Sequence, residues 1–240
     1  MELDTGQAAA GSQSPTKGRF TVTKITNMPK LTRLLLTLSA CIAALMIAGC
    51  GGEVRYPRYY TLAIPPSLKP ALDSARYPVA VSVRRFETPA YLRQGRIVYR
   101  ESPEAVDFYE YHRWAAEPGP TVTTGVIDSI RSAHLFSMVK PYGGEDRPEY
   151  LMTGRIERLD EIDYEGAIRV ETKLSAELVD VQAGKLIWTG SATSSSKVET
   201  SNMNSVVAAM SRALQTTIDG LVADMEKELP GTDVASQVGR

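Results

Sequence analysis

Alternation of apolar and polar residues in the second half of the chain predicts three antiparallel strands in succession. The clearest strand covers residues 168–178, where every second residue is apolar or threonine and most of the others are charged or polar. Such alternation is typical of a strand with one face on the core and the other in water. A strand beginning at Tyr150 precedes it, and a strand over residues 185–196 follows the turn at residues 182–184.

Shorter runs in the first half predict further strands at residues 59–64, 79–86, 96–100, 109–114 and 136–142. Within the run 109–114, alternation places His112 on the face opposite Tyr109 and Tyr111. The sequence Pro-Gly-Pro at residues 118–120 is expected to break the chain after this strand.

Two segments have the spacing of amphipathic helices. The first covers about residues 121–134; the second begins after a capping Ser201 or Asn202 and extends to about Leu229, before Pro230. The order of strands and helices predicts an α+β fold, a layered sandwich of a mixed, largely antiparallel sheet and two main amphipathic helices. This domain is expected over residues 59–229, with a disordered tail at 230–240.

An uncharged apolar segment at residues 34–47 has no strand alternation. It follows the basic residues Lys30 and Arg33 and precedes Gly49 and Cys50, so residues 28–49 have the three-part layout of an export signal peptide. The segment is shorter than the roughly 20 apolar residues that span a bilayer. Cleavage is therefore expected between Gly49 and Cys50.

Residues 47–50, Ile-Ala-Gly-Cys, resemble the lipobox of bacterial lipoproteins. The resemblance implies that Cys50 carries lipid, palmitate being one such acyl chain, and anchors the mature chain to a membrane. Cys41 lies within the signal and would be removed, so no disulfide can form within the mature chain. Residues 50–58 are interpreted as a tether. Residues 1–27 are interpreted as a mis-assigned start or a cytoplasmic extension.

Charge and composition exclude several function classes. The mature chain has 22 basic and 26 acidic side chains and no strongly basic stretch, so nucleic acid is not an expected partner. His112 and His134 lack the spacing of metal ligands, and no catalytic set is recognised, so we expect no enzyme, no cofactor and no metal. The acidic residues at a predicted strand end are interpreted as a solvated loop: Asp160, Glu161, Asp163 and Glu165. A periplasmic hydrolase that uses scattered carboxylates is the alternative in this class.

An aromatic-rich segment supplies candidate contact residues for a partner protein: Tyr91, Tyr111, His112 and Trp114. Aromatic side chains anchor many interfaces, and they also fill cores. The sequence leaves both roles open.

Several short motifs along residues 50–229 resemble, in their order and spacing, the ABC-type transport auxiliary lipoprotein family: residues 59–62, 89–92, 97–100, 109–115 and 184–188. This family includes the lipoprotein of the paraquat-inducible system. The resemblance implies a periplasmic accessory that docks on a tunnel protein with mammalian-cell-entry domains, served by an ABC permease and ATPase, in intermembrane lipid transport. It also implies that some members form homo-oligomeric rings.

Gly51 follows the lipidated position, where aspartate favours inner-membrane retention in enteric bacteria. The expected location is therefore the periplasmic face of the outer membrane. The alternative function is a lipoprotein regulator or assembly factor of cell-wall synthesis or of an outer-membrane machine.

Overall fold

The computed structural model describes residues 29–48, 54–65, 75–145, 147–164 and 166–229. The chain divides into two units, Met1–Val54 and Arg55–Arg240. Helix α1 (Lys30–Ala48) belongs to the first unit and covers most of the predicted signal peptide. No helix among the described residues is long and apolar enough to cross a membrane. Gly49 and Cys50, together with residues 1–27 and 230–240, lie outside the described residues, so what the sequence predicts for them stays a prediction.

The second unit contains a mixed sheet and two helices. Its described strands are β1 (Arg58–Tyr60), β2 (Tyr77–Val83), β3 (Arg96–Arg100), β4 (Asp107–Trp114), β5 (Phe136–Pro141), β6 (Tyr150–Ile162), β7 (Arg169–Asp180) and β8 (Lys185–Lys197). The helices are α2 (Pro118–Ser132), between β4 and β5, and α3 (Met203–Glu228), after β8. The predicted α+β class, with a mixed sheet and two amphipathic helices, is confirmed.

Strand β6 is the centre of the sheet. One of its edges pairs antiparallel with β7 along its whole length, and β7 pairs antiparallel with β8. The other edge carries two branches: residues 150–152 pair parallel with β2, and residues 161–162 pair parallel with β3. Strand β5 extends the first branch, and β4 and then β1 extend the second.

The core lies between the sheet and the helices. Alternate residues of β7 are buried, as predicted: Val170, Thr172, Leu174, Ala176 and Leu178. The apolar stripe of α3 covers them and is buried from Val206 to Met225. The hydroxyl of the buried Thr172 forms a hydrogen bond of 2.5 Å with that of Thr217 in α3. Asn202 caps α3 through its side chain, which accepts a hydrogen bond from the Ser205 amide.

The Pro-Gly-Pro sequence at residues 118–120 does not break the chain. It forms the first turn of α2, which therefore begins at Pro118 and not near Thr121. A proline in the first helical turn removes only an N–H group that has no partner within the helix. After the end of α2, His134 has a left-handed backbone with φ of 50°. This conformation is common just past the end of a helix.

Gly154 provides the space that Phe86 occupies in the core. The Phe86 ring is 1% exposed, and its backbone amide donates to the Thr123 hydroxyl of α2 at 2.9 Å. A Cβ atom at residue 154 would overlap the far end of this ring. Gly154→Ala is therefore expected to lower the free energy of unfolding by about 1–3 kcal/mol.

The matched control is Gly143→Ala, because a Cβ atom there has no other atom within 4 Å. Urea unfolding of both variants measures the difference. Equal midpoints for the two variants would show that the Phe86 ring does not limit the space at residue 154.

Candidate functional site

A bulge in β6 determines where its acidic residues point. Ile156 pairs with Leu174 and Arg158 with Lys173, so Glu157 is one extra residue on β6. Beyond the bulge, Glu161 lies opposite Val170 on the core face. Without the extra residue, Glu161 would point away from the core, because successive side chains of a strand alternate between faces.

Asp160 and Glu161 are therefore not part of a solvated loop, and that interpretation is wrong. Asp160 is 0% exposed and Glu161 is 2% exposed. Both lie within β6 instead of beyond its end. Asp163 is exposed, and Glu165 lies outside the described residues.

A larger irregularity occurs in β4. Val98 pairs with Phe108 and Arg96 with Arg113. Between these two pairs the chain advances five residues along β4 but only two along β3, so β4 contains extra residues. As a result, Tyr109 and His112 lie side by side, with ring centroids 5.5 Å apart and an edge-to-face arrangement. The prediction that they occupy opposite faces is wrong, because the extra residues change the alternation.

These two irregularities place aromatic and acidic side chains around one cavity of about 540 Å³. We call it the β1–β4 cavity; its walls include Arg58, Tyr60, Tyr109, His112, Glu161 and Asp163, with Met203 and Val206 of α3. The Tyr60 hydroxyl is hydrogen-bonded to Nδ1 of His112 at 2.9 Å. The Tyr109 hydroxyl lies 3.1 Å from both carboxylate oxygens of Glu161, to which it donates.

Burial dominates the acid–base properties of these groups. It raises the pKa of Glu161 to about 7; the Tyr109 hydroxyl opposes the rise, and the charge of Asp163 adds to it. Burial and the neighbouring Glu161 raise the pKa of Tyr109. Burial, together with the charge of Arg58, lowers the pKa of His112. No described basic side chain forms an ion pair with Glu161.

Glu161 is expected to make folding stability depend on pH. Its pKa is about 7 in the folded state and 4.5 as a reference, so between these values the folded chain holds a proton that the unfolded chain releases. The protonated carboxyl group of Glu161 therefore stabilises the fold fully below pH 4.5, and this stabilisation is lost as the pH rises through about 7. Glu161→Gln should reduce the loss of stability between about pH 5 and about pH 8 by roughly 2 kcal/mol.

Urea unfolding at both pH values measures this contribution. Glu177→Gln, at an exposed position of β7, is the control and should keep the pH dependence of the parent chain. An unchanged pH dependence in Glu161→Gln would contradict the assignment to Glu161.

A second group of charges lies on the opposite face of β6. The fully buried Asp160 accepts a hydrogen bond from Nε of Arg100 at 2.6 Å, and Nε of Arg158 lies 4.0 Å away. Arg158 also pairs with Glu171 at 2.6 Å. Tyr91 lies beside this group, and burial, helped by the charge of Asp160, raises its pKa to about 12. We call it the Arg100–Asp160 cluster.

The four candidate contact residues do not form one surface. Tyr111 is 36% exposed, whereas Trp114 is 5% exposed, so the indole of Trp114 is a core side chain and is not available to a partner. His112 lines the β1–β4 cavity, and Tyr91 lies at the Arg100–Asp160 cluster. Within the described residues, no group of three histidine, cysteine or acidic side chains could hold a metal ion.

The fold is shared with solved structures of low sequence identity. A crystal structure of a protein from Xanthomonas campestris superposes with a TM-score of 0.63 and 16% identity, covering 75% of this chain and 99% of that one. A crystal structure of a second, uncharacterised protein superposes with a TM-score of 0.53 and 13% identity, covering 71% of this chain and 99% of that one. At such identities the likeness concerns the fold alone. A search of curated proteins gives no match.

The sequence itself matches a family model over residues 60–222, from the end of β1 to the last turns of α3. The model describes the ABC-type transport auxiliary lipoprotein component. The match covers well over half of the chain and most of its second unit. The family is one of transport accessories and not a known enzyme family. This chain belongs to the family of ABC-type transport auxiliary lipoprotein components.

Proposed function

We propose that this chain is a lipoprotein anchored through Cys50 that serves as the accessory, docking component of an ABC-type intermembrane lipid transport system of the mammalian-cell-entry class. The observation that carries the proposal is the family match over residues 60–222, which follows directly on the export signal and lipobox pattern. The partners are the tunnel protein with mammalian-cell-entry domains and the ABC permease and ATPase that serve it.

The length of the tether supports a position close to the membrane. Seven residues lie between Cys50 and the start of β1 at Arg58, so the two are eight Cα-to-Cα steps apart. A fully extended chain of that length spans at most about 30 Å. The domain would therefore stay near the lipid headgroups. Because Gly51 follows Cys50, we expect this membrane to be the outer membrane, with the domain on its periplasmic face. There it could meet a transporter that is rooted in the inner membrane.

Two features of the second unit suit it to docking. Tyr111 is exposed on β4, one residue before the stretch of β4 that pairs with β1. Among the described strands, β8 pairs only with β7, so one edge of this 13-residue strand is open. Open strand edges can pair with another strand. We propose that Tyr111 contacts the tunnel protein and that the edge of β8 joins copies of the chain in a ring.

Photo-crosslinking in living cells tests the contact. A photoreactive amino acid replaces Tyr111 in the full chain, and the control replaces Met138, which is 56% exposed on β5 in the other branch of the sheet. We expect the Tyr111 position to crosslink to the tunnel protein and the Met138 position not to. Crosslinks only to cell-wall synthases or to an outer-membrane assembly machine would favour the alternative function.

A further inference from the structure

Glu161 is a buried carboxylate that lacks a positive partner among the described residues. Its carboxylate accepts from the Tyr109 hydroxyl, which can give its one proton to only one carboxylate oxygen at a time. Buried charges in proteins are normally paired with an opposite charge or neutralised. The contrast with Asp160 is direct, because that equally buried carboxylate has Arg100 at 2.6 Å.

The space beside Glu161 is lined by aromatic rings. His112 lies between Tyr60 and Tyr109, with centroid distances of 5.5 Å to each. Tyr99 packs against the ring of Tyr109 at 4.8 Å. Rings around a cavity attract organic cations, because the face of an aromatic ring is negatively polarised. Asp163 at the same wall adds a second carboxylate.

We propose that the β1–β4 cavity binds a small organic ammonium ion, which lies against the tyrosine rings and pairs with the carboxylate of Glu161. The cavity volume of about 540 Å³ is within the range of small-ligand sites. Arg58 also lines the cavity, and its charge acts on His112. The arrangement suits a zwitterion in which an anionic group follows the ammonium group, as in phosphoethanolamine. Such a group could come from a free amine or from a lipid headgroup.

Other ligand classes fit the cavity less well. A simple anion would be repelled by Glu161 and Asp163, whose charges both lie at the cavity wall. A metal ion would need three ligands of the usual kinds, and no such group occurs in the described residues. The proposal therefore concerns an organic cation.

Calorimetric titration of the full chain in detergent with ethanolamine tests the proposal. We expect saturable binding that weakens at least tenfold in Glu161→Gln, which keeps the side-chain shape and removes the charge. The control is Glu87→Gln, whose carboxylate is 76% exposed, and it should bind as the parent chain does. Glu161→Gln should remain folded, because it removes a buried charge and leaves no cation unpaired.

The pH dependence provides a second readout. Ethanolamine remains protonated near neutral pH, and the site binds it through the ionised form of Glu161, whose pKa is about 7. Binding should therefore be about tenfold tighter at about pH 8 than at about pH 6. The other ionisable neighbours are Asp163, Tyr109, His112 and Arg58; protonation of His112 at the lower pH would act in the same direction.

Short-chain phosphatidylethanolamine and short-chain phosphatidylglycerol distinguish the two sources of the ammonium group. If phosphatidylethanolamine binds and its binding depends on Glu161, the natural ligand is a lipid headgroup. If ethanolamine binds and phosphatidylethanolamine does not, the natural ligand is a free amine. Absence of ethanolamine binding, equal binding by Glu161→Gln, or equally tight binding of phosphatidylglycerol would overturn the proposal. Because Glu161→Gln should still co-purify with the transport partners, failure here and failure of the proposed function are separate results.

Discussion

Arg100→Met is expected to destabilise the fold by about 3 kcal/mol, because it leaves the buried Asp160 carboxylate without its close cation. Asp160 is fully buried, and the Arg100 side chain is only 12% exposed, so water screens their 2.6 Å contact very little. Arg158 lies 4.0 Å from Asp160 and already pairs with Glu171 at 2.6 Å, so it can replace Arg100 only in part. Urea unfolding measures the loss.

The matched control is Arg155→Met, on the same strand β6. The Arg155 side chain is 54% exposed, and its contacts with Glu87 and Glu157 are 3.8 and 3.7 Å long. Exposed pairs of this kind contribute at most about 1 kcal/mol. The double variant Arg100→Met with Asp160→Leu should recover most of the lost stability, because it removes the unpaired charge. Equal stability of Arg100→Met and Arg155→Met would refute the account of the Arg100–Asp160 cluster.

Cys50→Ser is expected to abolish lipid attachment completely, because the hydroxyl of serine does not replace the thiol that receives the lipid. Each buried methylene of a lipid chain contributes about 0.8 kcal/mol, so loss of the chains removes the anchor. Labelling of cells with a clickable palmitate analogue, followed by mass spectrometry, measures attachment. We expect label on the parent chain and none on the variant, which should also keep its signal peptide.

Cys41→Ser is the matched control for lipid attachment. Cys41 lies within α1, in the segment that cleavage before Cys50 would remove. This variant should therefore be processed and labelled as the parent chain is. Label on Cys50→Ser, or loss of label on Cys41→Ser, would contradict the assignment of the lipid to Cys50.

Regular alternation made most of the sheet predictable from the sequence. Strand β7 follows strict alternation, and its buried face was predicted residue by residue. The predicted positions of β3 and β8 match the observed strands to within one residue. The sequence offers Ser201 or Asn202 as the cap of the last helix, and Asn202 is the residue that caps it.

The β1–β4 cavity could not be predicted in the same way. Its geometry depends on one extra residue in β6 and on several in β4, and neither insertion has a sequence signal of its own. A partial signal did exist, since Asp160 and Glu161 stand between the apolar residues Leu159 and Ile162. Apolar residues on both sides of the two carboxylates favour a strand that continues through them over a solvated loop. Only the three-dimensional pairing shows which face each carboxylate occupies.

The contact residues were predictable only as a class. Aromatic side chains serve cores and interfaces alike, and the sequence of β4 does not separate Tyr111 from Trp114. Exposure separates them, because Tyr111 is 36% exposed and Trp114 is 5% exposed. The family assignment, by contrast, follows from the sequence over residues 60–222.

The most direct test of the central claim is affinity purification of the lipidated full chain from membranes after mild chemical crosslinking. The account predicts recovery of a tunnel protein with mammalian-cell-entry domains, together with its ABC permease and ATPase. It also predicts that Cys50→Ser recovers much less of them, because the domain is no longer held at the membrane. Recovery of cell-wall synthases or of an outer-membrane assembly machine, without any component of an ABC transporter, would contradict it.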